Sequence, residues 1–176
     1  MTTDTNSLDA LYKLIGEIKI AMLTTRRQDG HLESRAMATQ KPVPGADLWF
    51  VTSDGTAKLD DIGRDPHVNL GFVKSDTWEW ISVSGLAKIS RDRETIRQLY
   101  APDWKAWFPE EGDPRHGTPD DPRMVLIGVN VQAATFFEVN KPKPVVLFEL
   151  VKGWVTGREP NVGEMHEVGE APRPRS

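Results

Sequence analysis

Short apolar runs separated by turn residues are the feature of this 176-residue chain that most restricts its fold. The runs have the length and side-chain content of β-strands, and turn-forming residues such as Gly, Pro, Asp and Ser lie between them. They are Ile20–Thr25, Leu32–Thr39, Leu48–Thr52, His67–Val73, Trp78–Ile89, Met124–Val131 and Ala134–Val139. Asp29-Gly30 is a strong hairpin signal, and tight turns of this kind favour antiparallel neighbours. We therefore predict an α+β fold in which about six strands form a small antiparallel β-barrel.

Helical periodicity and capping residues predict helices at the margins of this barrel. The predicted helices begin near Ser7 and end at Ile18, span Ala57–Gly63, follow the N-cap Asp92 as far as Tyr100, and span Val145–Gly157. Gly85 lies inside the longest predicted strand, where a glycine indicates a β-bulge or a close approach of another backbone.

Composition limits the domain organisation and the partners. No linker divides the chain, so residues 1–158 are predicted to form one domain, and the Pro- and charge-rich residues 159–176 a mobile tail. A net charge of −4 disfavours nucleic acid and anionic membrane as partners, and the absence of cysteine excludes disulfides and thiolate chemistry. No signal peptide or membrane-spanning run is visible, so the expected location is the cytoplasm.

The four histidines form no recognisable catalytic or metal-binding pattern, because the chain has neither an HExxH pair nor a GxSxG elbow. Asp113, His116, Asp120 and Asp121 have side chains that can bind metals, but they lie in the irregular stretch 108–122. That stretch is rich in Pro, Gly and acidic residues and is interpreted as a solvated surface loop. The sequence therefore predicts no metal site and identifies no catalytic acid or base.

Polar residues at a strand end and a helix start suggest an anion site. Thr52 and Ser53 end a predicted strand, Thr56 and Lys58 begin the short helix that follows, and Arg35 lies within a neighbouring strand. Free N–H groups at a helix N-terminus, hydroxyl donors and a lysine together can bind a phosphate. An N-capping Thr56 and an ordinary surface lysine explain these residues about as well, so both interpretations stay open.

Tryptophans are concentrated between positions 78 and 107. Most of them are expected in the barrel core or in a dimer contact. Trp107 is harder to explain in this way, because it stands immediately before the irregular loop. An aromatic side chain at the entrance of a loop can cover a flat ligand.

Ordered sequence blocks give a resemblance that covers the chain from about Leu8 to Pro160. The blocks are Asp29-Gly30, Ser34-Arg35-Ala36-Met37, Leu48-Trp49-Phe50-Val51-Thr52, Thr56-Ala57-Lys58, Asp65-Pro66-His67-Val68-Asn69-Leu70, Ser82-Val83-Ser84-Gly85, Lys105-Ala106-Trp107-Phe108-Pro109 and Val155-Thr156-Gly157. In this order and spacing they resemble the flavin-binding split-barrel superfamily related to pyridoxamine 5′-phosphate oxidase. Within that superfamily they are most similar to the general stress protein 26 branch.

The resemblance implies a homodimer of six-stranded split barrels that binds flavin mononucleotide (FMN) at the subunit interface, with FAD as a possible substitute. It implies that Lys58, Thr56 and Thr52 hold the phosphate and that Arg35 lies beside the phosphate or the ring. The backbone of Ala36, Met37 and Val51 would line the isoalloxazine ring. Trp107 of the partner subunit would cover it.

The resemblance also has a departure that bears on activity. The true oxidase has an Arg-Leu-His-x-Arg type block near its C-terminus that holds pyridoxal phosphate, and this chain has none. The expected function is therefore a flavin-dependent oxidoreductase of unknown substrate rather than a vitamin B6 oxidase. The alternatives are a stress protein that stores or senses flavin without turnover, a barrel that binds a deazaflavin or haem instead, and a barrel without a ligand.

Overall fold

A computed structural model describes residues 5–109, 111–139 and 161–169, together with single positions between 142 and 159. Seven strands form the centre of the described structure, and the helices whose bounds it gives connect or cover them. The helices are α1 (Thr5–Ile18), α2 (Ala57–Arg64), α3 (Arg93–Leu99) and the 3-10 helix Pro102–Trp107. The strands are β1 (Ile20–Arg26), β2 (Leu32–Ala38), β3 (Leu48–Ser53), β4 (His67–Lys74), β5 (Glu79–Ser90), β6 (Met124–Glu138) and β7 (Glu164–Gly169).

The strands form one antiparallel sheet in the order β2-β1-β4-β5-β6-β3, and β7 pairs with β6 outside this path. The two edge strands of the path, β2 and β3, come together at one end, where the backbone N–H of Gln40 donates to the carbonyl of Trp49 at 2.8 Å. The sheet therefore curls round so that its edges nearly meet. The predicted α+β class with antiparallel strands is confirmed.

The inner face of the curled sheet holds the main hydrophobic core. Phe50, Phe72 and Phe136 are fully buried there, and α1 adds Leu11 across the core. Successive residues of a strand point to opposite faces, so Trp49, next to Phe50, packs into a second cluster with α3 and the 3-10 helix. Both faces of β3 are therefore covered, and the second cluster fixes the 3-10 helix beside the edge of the sheet.

Local signals in the sequence are confirmed at two positions. The Asp92 side chain accepts a hydrogen bond from the backbone N–H of Thr95 at 2.8 Å, which is the N-cap expected for α3. At Gly85 the pairing of β5 with β6 shifts register, so the bulge expected from this glycine is present. Ser84 pairs with Ala133 and Gly85 with Val131, which leaves Gln132 as the extra residue.

The strand count differs from the expected six. The runs predicted as two strands, 124–131 and 134–139, form the single strand β6, because the bulge at Gln132 absorbs the irregularity without ending the strand. Within the predicted mobile tail 159–176, Glu164–Gly169 pairs with Ala133–Glu138 as the strand β7. The mobility of the tail stays a prediction. The predicted helix 145–157 lies mostly outside the described residues. Those described at 145, 146, 149, 152, 154 and 156 are helical.

Candidate functional site

A cavity of about 570 Å³ lies where the edge strands β2 and β3 separate. It lies beside the Gln40–Trp49 contact, and residues from both edge strands, α2 and the 3-10 helix line it. All eight residues predicted for a cofactor site border this one cavity: Arg35, Ala36, Met37, Val51, Thr52, Thr56, Lys58 and Trp107. Its volume is in the range of small-molecule pockets. The predicted residues are thus brought together, whereas their role in binding a cofactor stays a prediction.

The pairing of β1 with β2 decides which way the β2 side chains point. Arg35 lies opposite Leu23, which is buried on the inner face, and Ala36 lies opposite the exposed Met22. Directly paired residues share a face of the sheet, so Arg35 points inward and Ala36 outward. The cavity therefore takes its lining from both sides of the β2 edge.

Lys58 is a half-buried cation that faces the end of β3. Its Nζ donates to Thr52 Oγ1 at 2.9 Å, and among the described residues no carboxylate forms an ion pair with it. Burial lowers the pKa of Lys58, and the nearby charge of Arg35 lowers it further, while Glu33 opposes the shift. An ammonium has three N–H donors, so two remain for an anion in the cavity. A bound anion would also relieve the repulsion from Arg35.

Thr56 occupies the N-cap position of α2 but does not cap the helix. Its hydroxyl donates to the carbonyl of Ser53 at 3.1 Å, and no side-chain hydrogen bond caps α2. The interpretation of Thr56 as a capping residue is therefore wrong. The backbone N–H of Leu59 donates to the Thr56 carbonyl at 2.9 Å. The N–H groups before it, at Ala57 and Lys58, belong to the first turn, whose N–H groups generally lack an intrahelical acceptor, so they are candidate donors to a ligand.

Arg35 is held from two sides. Its Nη1 donates to Thr25 Oγ1 at 2.6 Å, and its Nη2 lies 3.4 Å from the Glu33 carboxylate, which is largely solvent-exposed. Arg35 and Lys58 place two positive charges at the same end of the cavity, and the only carboxylate paired with either of them in the described structure is Glu33.

The opposite end of the cavity is aromatic and mostly apolar. Trp104 and Phe108 are buried there, and the indole N–H of Trp104 donates to Gln40 Oε1 at 3.1 Å. Trp107 is 80% exposed and borders the cavity of its own chain. The resemblance implied that this residue reaches the site from a partner subunit, and that contribution stays a prediction.

The loop after the 3-10 helix uses its acidic residues to bind arginines. Asp113 pairs with Arg115, and Asp121 pairs with Arg123. Asp120 pairs with Arg97 on α3. Among the described residues, no three His, Cys, Asp or Glu side chains are grouped as metal ligands.

Residues that the sequence did not single out also belong to this region. Gln40 lines the cavity, and Thr25 holds Arg35. Thr25 had a usable signal, since it takes the inward position of β1 after Ala21 and Leu23, where an apolar residue is expected. Gln40 had none, because its place depends on how the two edge strands meet.

The fold and the cavity together define a class: an α+β protein whose antiparallel sheet leaves a ligand-sized cavity between its edge strands, cationic at one end and aromatic at the other. The sequence model of the family described as "Pyridoxamine 5′-phosphate oxidase like" matches residues 6–161. The chain belongs to this family, which confirms the resemblance.

Comparisons with individual proteins agree with this family membership. Protein bli-3 of Neurospora crassa is 38% identical over 155 residues, which covers 86% of this chain and 74% of that protein. A candidate general stress protein 26 from Jannaschia sp. CCS1 superposes with a TM-score of 0.73 at 20% identity, covering 94% of this chain and 99% of that one. A general stress FMN/FAD binding protein from Xanthomonas citri gives 0.61 at 23% identity, covering 77% and 89%. These two structures are similar in fold. None of the described helices is both long and apolar enough to cross a membrane.

Proposed function

We propose that this protein binds FMN in the cavity between β2 and β3. The observation that carries the proposal is the half-buried Lys58, which has no carboxylate ion-pair partner among the described residues and stands with Thr52, Thr56 and Arg35 at one end of the cavity. Hydroxyls, an uncapped helix start and two cations suit a phosphate monoester. These four residues would hold the phosphate.

The other end of the cavity suits the isoalloxazine ring. Ala36, Met37 and Val51 offer backbone along the edge strands, and Trp107 offers an exposed aromatic face. No histidine is among the described residues that line the cavity, so the most common axial ligand of haem is not offered by them. Because the cavity has a single phosphate-binding end, we expect it to favour FMN over the longer FAD.

The activity proposed for the bound flavin is that of an oxidoreductase, since a flavin supplies hydride and electron transfer and the protein supplies binding and orientation. Lys58 and Arg35 would anchor the phosphate, and Trp107 would limit the access of water to the ring. The absorption spectrum of the purified protein, repeated on the supernatant after heat denaturation, tests for bound FMN. NADH or NADPH oxidation faster than with free FMN would separate an enzyme from a flavin-storing stress protein.

Replacing Lys58 with alanine is expected to weaken FMN binding, because it removes a charged hydrogen-bond donor to the phosphate. Such a contact is worth about 1.5–3 kcal/mol, or roughly ten- to a hundredfold in Kd. The measurement is titration of the apoprotein with FMN, followed by flavin fluorescence. Lys13→Ala, at an exposed position of α1, is the matched control and should leave Kd unchanged. Equal affinities of the two variants would show that the phosphate lies elsewhere.

We also propose that the protein is a homodimer, with the outer face of the sheet as the contact surface. Most paired positions across this face carry apolar or small side chains: Met165, Phe137, Trp80 and Val73 in one row, and Thr135, Ser82, Gly71, Met22 and Ala36 in the next, which ends at the charged Glu167. Met22, Val73 and Met165 are exposed. A broad apolar surface of this kind is typical of a protein interface. It continues into the cavity through Ala36, so a second copy would border the flavin site.

Replacing Met22 with lysine is expected to convert the dimer into monomer, since it puts a charge at the centre of the proposed contact without touching the core. Sedimentation velocity should show the mass of 19.7 kDa for one chain in the variant and twice that in the wild type. Gln98→Lys, on the exposed side of α3, should stay dimeric. A wild-type protein that sediments as one chain would contradict the dimer and leave FMN binding to be judged by its own titration.

A further inference from the structure

A chain of hydrogen bonds leads from the cavity into the protein interior. Arg35 Nη1 donates to Thr25 Oγ1 at 2.6 Å, and the Thr25 hydroxyl donates to Asp61 Oδ2 at 3.0 Å. The other oxygen of Asp61 accepts from Arg64 Nη2 at 3.0 Å. Thr25 is 1% exposed and Asp61 is 3% exposed, so these contacts have little competition from water.

The order of donors and acceptors in this chain fixes the direction of Arg35. A threonine hydroxyl has one hydrogen, and the Asp61 carboxylate, which can only accept, takes it. The lone pairs of Thr25 Oγ1 are thereby left for the guanidinium. Asp61 in turn is fixed by Arg64, so Arg35 is held by a buried carboxylate through one hydroxyl.

The elements involved connect both cations of the cavity. Asp61 and Lys58 lie three residues apart on α2, and Thr25 on β1 is a diagonal neighbour of Arg35 across the β1–β2 pair. Lys58 points to the cavity while Asp61 points to the interior. The same helix therefore carries one cation of the cavity and, through Asp61 and Thr25, orients the other.

We infer that Thr25 and Asp61 are positioning residues that hold Arg35 toward the phosphate end of the cavity and thereby set the preference for FMN over unphosphorylated riboflavin. This inference rests on the proposed function. Neither residue lines the cavity, so both act through Arg35. Removing the hydroxyl leaves the guanidinium only its contact with the exposed Glu33 carboxylate, so the side chain is free to turn toward solvent.

The test compares Thr25→Val, which keeps the shape of the side chain, with Thr25→Ser, which keeps the hydroxyl. Thr25→Val is expected to raise the Kd for FMN about tenfold, the range of one charge-assisted hydrogen bond, and to leave the Kd for riboflavin unchanged. Thr25→Ser is expected to bind both ligands like the wild type. In an Arg35→Ala background, Thr25→Val should have no further effect on FMN.

Several outcomes would overturn the inference: an equal loss of FMN and riboflavin, a full additional loss in the Arg35→Ala background, or no rescue by serine. Asp61→Asn, which keeps the side-chain shape, gives a second route if Thr25→Val does not fold, and should show the same selective loss of FMN. If the wild type does not bind FMN, the proposed function fails. Inorganic phosphate then replaces FMN as the probe, and the same dependence on Thr25 is expected. A wild-type protein that binds neither FMN nor inorganic phosphate refutes both the proposed function and this inference.

Discussion

Replacing Asp121 with alanine is expected to lower the free energy of unfolding by about 3–5 kcal/mol, the usual cost of removing one partner of a buried ion pair. The Asp121 carboxylate is fully buried and accepts hydrogen bonds from Arg123 Nη2 and from the backbone N–H of Gly117, both at 2.8 Å. It also accepts from the backbone N–H of Arg123 at 2.9 Å. Truncation removes this acceptor from the backbone N–H groups of Gly117 and Arg123, whereas Arg123 Nη2 keeps the Pro109 carbonyl.

The consequence of Asp121→Ala should reach the cavity. Arg123, which Asp121 holds, also donates to the carbonyl of Pro109 at 2.9 Å and lies over the ring of Phe108. These contacts fix the chain directly after Trp107. We therefore expect the variant to lose FMN affinity as well as stability.

Urea unfolding followed by tryptophan fluorescence measures the effect. Asp120→Ala is the matched control, because its carboxylate forms an exposed pair with Arg97, and such pairs contribute about 1 kcal/mol or less. Similar losses in the two variants would show that the buried pair does not anchor the loop.

The same residue predicts a pH dependence. Burial raises the pKa of Asp121, but the hydrogen bonds from Arg123 and Gly117 outweigh it and lower the pKa to about 2. A carboxyl group whose pKa is lowered by folding stabilises the folded state at pH values above its ordinary pKa, near 3.8. This contribution to stability is lost as the pH falls toward 2. The contribution is about 2 kcal/mol at neutral pH. As the pH falls from 5 to 2, the free energy of unfolding of the wild type should therefore decrease by about 2 kcal/mol more than that of Asp121→Asn.

Replacing Gly85 with alanine is expected to lower the free energy of unfolding by about 3 kcal/mol, the upper part of the usual range for overpacking. A Cβ at this position would lie 2.6 Å from the carbonyl oxygen of Asn130 and 2.7 Å from Cγ1 of Val129. The oxygen belongs to the backbone of β6, which the sheet holds on both sides. Accommodating one methyl group therefore requires a shift of the strand.

Thermal and urea unfolding of Gly85→Ala should be compared with Gly63→Ala. A Cβ at Gly63, in α2, would meet no atom within 4 Å, so that variant should be neutral or slightly stabilised by the higher helix propensity of alanine. If Gly85→Ala unfolds like the wild type, the close approach of β6 to Gly85 does not require a glycine at this position.

Much of the fold could be predicted because its signals are local. A strand is visible in about six residues, and turn or cap residues mark its ends, as Asp29-Gly30 and Asp92 do here. Gly85 predicted the bulge for the same reason. The continuity of β6 and the presence of β7 were harder to predict, because both depend on pairing partners far along the chain. No local pattern distinguishes a short paired strand from a polar tail.

The candidate site was predictable in its residue types but not in its arrangement. Lys58, Thr52 and Thr56 stand within seven positions, so their proximity follows from a strand end and a helix start. Arg35 was placed with them only as a residue of a predicted neighbouring strand, and the resemblance implied the same position. Asp61 could not be identified because an aspartate in a helix carries no signal until its hydrogen-bond partners are known. The inward position of Thr25 in β1 was a signal that a polar side chain is buried, but it did not reveal the partner.

The sequence by itself determined β1 to β5, the helices α1 to α3 and the family, because these depend on side-chain periodicity and on residues that favour one backbone conformation. Tertiary structure alone decided where the two edge strands separate, that Trp107 borders the cavity of its own chain, and that Asp61 orients Arg35 through Thr25. The physical reason is distance along the chain. Arg35 and Asp61 are connected through Thr25 only because of the register of β1 with β2 and the packing of α2. Those are properties of the assembled sheet and of no single segment.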